Sequence, residues 1–157
     1  MRQDSESIDP STISKHDMTS ETHENEHVRT RIDHATELAE DYVEAIDDIL
    51  REKGICRVTD LARQFGVTHV TVNRTIGRLQ RDGLVETEPY APVTLTRSGQ
   101  KLAEASRRRH EIVLAFLQTL GVSEETARID AEGIEHHVSE ETLHVMARFA
   151  NIDEEDA

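Results

Sequence analysis

Apolar residues recur at helical spacing from Glu37 onward, and no such period runs before it. Residues 1–36 are polar, rich in Ser, Thr, Asp, Glu and His, and predict a disordered acidic tail. His16, His23, His27 and His34 lie there at spacings that make no compact chelate. In ELAEDYVEAIDDILREKG, Leu38, Tyr42, Ala45, Ile46, Ile49 and Leu50 share one face, which predicts an amphipathic helix ending near Gly54. A short extended piece, ICRV, follows. Thr59 reads as the N-cap of TDLARQF, with Leu61, Ala62 and Phe65 inward and Gly66 as the stop. Thr68 reads as the cap of THVTVNRTIGRLQRDG, whose Val72, Ile76 and Leu79 fall at i, i+4 and i+7. LVETE and PVTLT predict two short strands around the turn PYAP. A long helix is expected from about residue 97 to 120, where Gly121 breaks it. Ser123 starts another helix, to about Val138, and Ser139 caps a last one before the acidic end NIDEEDA, which is expected to fray.

Two short helices joined by a Gly-containing turn, then a strand pair, form a winged helix-turn-helix. The pattern therefore predicts a mainly α fold: a winged helix-turn-helix DNA-binding domain over residues 37–97, then an all-helical domain over 98–157. On the second helix the face opposite the apolar stripe holds hydrogen-bonding groups suited to a major groove. Thr68, His69, Thr71 and Asn73 are the expected base readers, and Arg74 and Arg78 the expected phosphate contacts. Winged helices also serve as protein-interaction modules, so charge has to decide. The whole chain carries −14, but residues 55–110 carry net +5 while every other segment is acidic. The basic segment is the DNA-binding candidate, and local field governs phosphate contact. The wing tip, Glu86 to Pro92, has no Arg or Lys, which leaves contact by the wing in doubt.

Composition narrows the rest. Aromatics are 3% with no Trp, so the core is built from Leu, Ile, Val and Ala, as in helical folds. The one cysteine, Cys56, makes no internal disulfide and no Cys-based zinc site, consistent with a reducing cytoplasm. No apolar run is long enough to span a bilayer, and the N-terminus lacks a signal-peptide core.

A second constellation carries possible metal chemistry. Asp41 and Glu44 share a helix face, as do Glu132, Glu135 and His136, and His110 sits midway along the long helix. Spacing alone leaves two readings open, a solvated stripe with a satisfied core histidine or a metal site. Enzyme readings find little support: a di-iron carboxylate protein needs paired Glu-x-x-His motifs, and only Glu141–His144 offers one in the folded part.

The strings AEDYVEAI, RRRHEIVLAFLQTLGV and DAEGIEHHVSEETL resemble those of the manganese transport regulators within the diphtheria-toxin-repressor family, over about residues 37–150. The resemblance implies a homodimer, with residues 98–157 forming a metal-binding and dimerisation domain. It implies Mn(II) ligands at Asp41, Glu44, His110, Glu132, Glu135 and His136, and leaves His137 without a ligand role. It further implies a cytoplasmic Mn(II)-activated repressor of manganese uptake genes, holding two ions per subunit and bound to a palindromic double-stranded operator. The chemistry agrees. Four clustered carboxylates repel one another unless cations balance them, and two divalent ions do so. Oxygen and imidazole donors without sulfur suit Mn(II), whereas the iron branch uses sulfur-bearing ligands. The rival reading is a winged-helix repressor answering another metal such as Fe(II), or an organic ligand. The chain has no counterpart of the iron branch's SH3-like third domain, and the tail has no usable family equivalent.

Overall fold

The computed structural model describes the backbone of residues 15–152 and the side chains of residues 34–152. The expected fraying of residues 153–157, and the tail reading over residues 1–14, lie outside the described residues. The chain divides into two units, residues 1–36 and residues 37–157.

Helix α1 spans Lys15–Lys53, so its backbone is helical well before Glu37, where the sequence pattern places the start. The pattern searched for an apolar face, which marks packing rather than helicity. No Gly or Pro lies between Lys15 and Lys53, so nothing in the covalent chain interrupts a helix once its packed part has nucleated it.

In residues 37–157 the remaining elements follow the predicted order. These are α2 (Val58–Phe65), α3 (His69–Arg81), β1 (Val85–Glu86), β2 (Thr94–Leu95), α4 (Arg97–Thr119), α5 (Glu124–Ile134), a 3-10 turn (Glu135–His137) and α6 (Glu140–Phe149). Thr68, Ser123 and Ser139 cap α3, α5 and α6, each hydroxyl accepting a backbone N–H of the first turn. Thr59 does not cap α2. The cap lies two residues earlier, at Arg57, and the Asp60 carboxylate accepts the Arg57 N–H at 3.1 Å. An acidic residue in the first turn reaches back to the cap, the reciprocal half of a capping box.

Strands β1 and β2 pair antiparallel, Val85 opposite Leu95, and Cys56 bridges to Val93 on the other side, so the extended ICRV segment forms the wing's third edge. Gly99 fixes how closely α4 approaches this sheet. A Cβ there would collide with the Leu84 carbonyl oxygen, so only glycine fits. Thr96 completes the junction: its hydroxyl donates to the Gly83 carbonyl at 2.6 Å and accepts the Gly99 N–H at 3.1 Å.

Two apolar cores result. The first gathers Tyr42, Val43 and Ile46 of α1, Leu61 of α2, Val72, Ile76 and Leu79 of α3, Val85 and Val93 of the wing, and Ala103 of α4. Tyr42 and Phe65 stack within it, ring centroids 4.3 Å apart. The second core joins Ile112 and Val113 of α4, Ala131 of α5, and Leu143 and Ala147 of α6. Helix α4 contributes to both, and His110 lies between its two contributions.

Candidate metal centre and nucleic-acid interface

The six residues of the expected ligand set come from four elements and converge near the middle of α4. Asp41 and Glu44 stand one turn apart on α1, because i and i+3 share a helix face. Glu132 lies in the last turn of α5, and Glu135 and His136 in the 3-10 turn that follows. Nδ1 of His110 is 2.6 Å from Oε2 of Glu135 and 3.8 Å from Oε1 of Glu132. Nε2 of His136 is 3.3 Å from Oδ1 of Asp41 and 3.7 Å from Oε1 of Glu135. Distances therefore link five of the six in one chain, with Glu135 at its centre. His110, Glu132 and Glu135 offer three donor atoms within 4.8 Å of one another. Glu44 is tied to the cluster differently: it accepts a hydrogen bond from the Ser106 hydroxyl at 2.9 Å and feels the charge of His110.

Side chains that the sequence reading passes over hold this cluster in place. Arg109, next to His110 on α4, donates to the carbonyls of Glu135 at 3.2 Å and Val138 at 3.1 Å, so it clamps the 3-10 turn against α4. Arg107 donates to Asp47 at 2.8 Å and Asp48 at 3.0 Å, joining α4 to α1. Glu40, 8% exposed, pairs with Nδ1 of His136 at 2.8 Å. In the sequence Glu40 looks like one more charge in an acidic run. Its signal is the i, i+4 spacing to Glu44, which puts it on the ligand face of α1. His137 faces Glu37, its Nε2 3.3 Å from Oε1.

The electrostatics suit a cation-binding set. Burial raises the carboxyls of Asp41 and Glu44 above the ordinary carboxylate range, with neighbouring acids adding to the effect. Burial lifts Glu135 furthest, to about 7, despite the opposing pull of His110 and His136. For His136, burial acts to lower the pKa. The hydrogen bond to Glu40 and the charges of Asp41 and Glu135 outweigh it and raise the value. A half-buried set of oxygen and imidazole donors that resists ionising together is what a divalent cation would stabilise. The donor set fits the ion that the resemblance implies.

The expected DNA-facing residues lie on α3. Thr68, His69, Thr71, Asn73 and Arg74 are exposed, and Arg78 is half-buried. Val70, 70% exposed on the same turn, is passed over in the sequence because an isolated valine beside an apolar stripe reads as core. A groove of about 680 Å³ opens between α3 and the β1–β2 loop, lined by His69, Asn73, Gln80 and Tyr90 among others. Tyr90 stands fully exposed at the wing tip with φ of 67°. The Gln80 amide donates to the Thr87 carbonyl at 3.2 Å, which fixes the wing against the helix.

Comparison with known proteins adds a lineage to this geometry. Residues 34–93 match the N-terminal DNA-binding domain of iron-dependent repressors, and residues 96–156 match their metal-binding and dimerisation domain. The transcriptional regulator MntR of Escherichia coli O157:H7 is 49% identical over 136 residues, covering 84% of this chain and 88% of that one. The chain belongs to the iron-dependent repressor family. Family membership makes it a DNA-binding transcription repressor rather than an enzyme, with a DNA-binding domain followed by a metal-binding and dimerisation domain. The HTH-type regulator MntR of Bacillus subtilis strain 168, another relative, is 36% identical over 74% of this chain and 82% of its own. Among solved structures, a manganese-dependent transcriptional repressor in complex with manganese superposes with a TM-score of 0.66 at 31% identity. That match covers 73% of this chain and 54% of the other, so the chain spans about half the length of that solved chain. Among the described residues, no helix is long and apolar enough to cross a membrane.

Proposed function

We propose that this chain is a Mn(II)-activated repressor of manganese uptake genes, and that Asp41, Glu44, His110, Glu132, Glu135 and His136 hold two Mn(II) ions per subunit. One observation carries the reading: three carboxylates and two imidazoles from α1, α4, α5 and the 3-10 turn link into one cluster centred on Glu135, with Glu44 one turn from Asp41 on the same face of α1 and no sulfur donor in the set. Two divalent cations would supply the charge that balances the four carboxylates. Manganese ranks lowest in the general affinity order, so an all-oxygen-and-nitrogen site with fixed geometry suits it. The manganese-dependent repressor and the MntR regulators among the relatives support the same metal.

Asp41 and Glu44 sit on a helix whose next turns, Tyr42 to Ile49, form the core beneath α3. The other ligands sit on the dimerisation domain. Ligation across this boundary would fix how α3 is carried relative to its twin in a homodimer. Two recognition helices so held reach half-sites of a palindrome about one helical turn apart. Thr68, His69, Thr71 and Asn73 would then read bases, Val70 would offer an apolar group to a thymine methyl, and Arg74 and Arg78 would contact phosphates. Leu120, Ile129 and Phe149 are each more than 60% exposed on the dimerisation domain, and offer apolar surface to a second copy. This reading sets the boundary between the two domains at residues 97–98 and the cytoplasm as the compartment.

A mobility-shift titration of the full chain with Mn(II), Fe(II) and Zn(II) tests the reading. Mn(II) is expected to drive operator binding, a chelator to reverse it, and His110→Ala or Glu135→Ala to abolish the response while leaving the circular dichroism helical. Operator binding that ignores chelator, or two variants that answer Mn(II) as the parent does, would overturn it.

A further inference from the structure

The cluster contains a carboxylate that the six-ligand set does not use. Glu40 is buried to 8% exposure, and Oε2 lies 2.8 Å from Nδ1 of His136. A carboxylate so far from water needs a partner that donates a hydrogen bond. The opposite edge of the same imidazole, Nε2, points at Asp41 and Glu135 at 3.3 and 3.7 Å. The two ring nitrogens therefore have separate surroundings, one facing a single buried acceptor and the other facing the convergence of ligands.

We propose that Glu40 is a positioning residue: it accepts Nδ1–H of His136, which fixes the neutral ring in the tautomer that leaves the Nε2 lone pair for the metal. This rests on the metal-centre reading above. An imidazole free to choose would spend part of its time with the proton on Nε2, and that form cannot ligate. A carboxylate behind Nδ1 removes that loss, holds the ring plane and raises the basicity of Nε2. The bond also crosses from α1 to the 3-10 turn without a metal. Glu40 thus keeps Asp41 and His136 in register before an ion arrives, so less ordering is left for binding to accomplish. Glu40 lies one residue from Asp41, yet its bond takes it to the rear of His136 rather than into the space between the ligands. Aspartate at position 40 keeps the acceptor on a side chain shorter by one carbon, glutamine keeps an uncharged acceptor, and alanine removes it.

The experiment uses the full chain in four forms: parent, Glu40→Ala, Glu40→Asp and His136→Ala. Histidine-labelled metal-free protein is examined by nitrogen NMR at a pH where the ring is neutral, and Mn(II) binding is measured by calorimetry. The parent is expected to show His136 with its proton on Nδ1. Glu40→Ala should show a mixture of tautomers and bind Mn(II) roughly 10–100-fold more weakly. Glu40→Asp should recover much of the affinity and the single tautomer. Misfolding alone would not redistribute the ring proton in a variant that keeps its melting transition, so the NMR signature separates positioning from bulk stability. A proton on Nε2 in the parent, or Glu40→Ala binding Mn(II) as the parent does while His136→Ala loses it, would overturn the positioning role and leave the metal centre standing. If His136→Ala itself binds Mn(II) like the parent, it is the metal-centre assignment that fails.

Discussion

The carboxyl of Glu135 sits at about 7 because burial penalises its charge more than His110 and His136 relieve it. A carboxylic acid raised on folding keeps its proton, in the native state, between 4.5 and about 7, where the unfolded chain has already lost it. Stability of the metal-free protein therefore falls as pH rises through that interval. His136 acts in the same direction. Its raised pKa gives stability present below the unfolded value of 6.5 and lost as pH rises through the folded one. Mn(II) held by these two proposed ligands would need both without their protons, so its binding should release protons and tighten with rising pH. Thermal melts from about pH 5 to about pH 8, with and without Mn(II), check this. The metal-free transition should drop with pH while the increment from Mn(II) grows; an increment independent of pH would contradict it. At this scale the sequence is informative but incomplete. Helical spacing puts Asp41 with Glu44 and Glu132 with Glu135 and His136, but only the fold brings the groups together. Glu40, Arg107 and Arg109 are unremarkable as letters, because the bonds that give them purpose reach side chains 59 to 96 positions away or carbonyls that every residue has.

Among the elements, the tightest constraint is the joint between the wing and α4. Gly99 is in the first turn of a 23-residue helix, where alanine is ordinarily the better helix former. Here the Leu84 carbonyl occupies the place of a side chain, so Gly99→Ala must push α4 off the sheet or distort the cap at Thr96. The expected cost is about 1–3 kcal/mol, as for other overpacked sites. A melting temperature several degrees below the parent would bear this out, and an unchanged or higher one would show that the joint is loose. The sequence string LTRSGQKLA announces a helix start, but nothing local announces that the glycine meets a carbonyl from another element. Caps tell a similar story. Thr68, Ser123 and Ser139 are legible because the cap hydroxyl and the backbone N–H it accepts lie three residues apart. The start of α2 is misread because Asp60, reaching back to the Arg57 N–H, fixes the helix start without a hydroxyl cap. The early part of α1 is illegible to a method that reads apolar periodicity, since that period records burial.

For the whole molecule, the question is how a metal bound near His110 is felt at α3. The links from the DNA-binding core to the dimerisation domain run through α1 and α4, by Ser106 to Glu44 and Arg107 to Asp47 and Asp48. Arg107 pairs with Asp47 and Asp48 rather than with a proposed ligand, and so forms a charged tie between the two helices, its charge also reaching Glu44. Arg107→Ala should leave Mn(II) affinity within a few-fold of the parent but shrink the factor by which Mn(II) strengthens operator binding. Linkage requires the factor by which operator strengthens Mn(II) binding to shrink equally. Operator titrations with and without Mn(II), and Mn(II) titrations with and without operator, give both factors. A full-sized factor in the variant would place the coupling elsewhere. The order of elements and the α1–α3 part of the first core were legible from the apolar pattern, while this tie was not, because a solvent-side arginine on a helix looks the same whether or not another helix lies opposite.

Helix α4 also sets where this protein tolerates being cut. Its early turns supply Leu102 and Ala103 to the first core, and its later turns supply Ile112 and Val113 to the second. A recombinant fragment ending at Arg97 would keep every side chain proposed to read bases but leave the first core without Leu102 and Ala103. A usable minimal DNA-binding fragment has to run past Ala103, and a chimera joining this reader to another sensor should be spliced inside the helix rather than at its start.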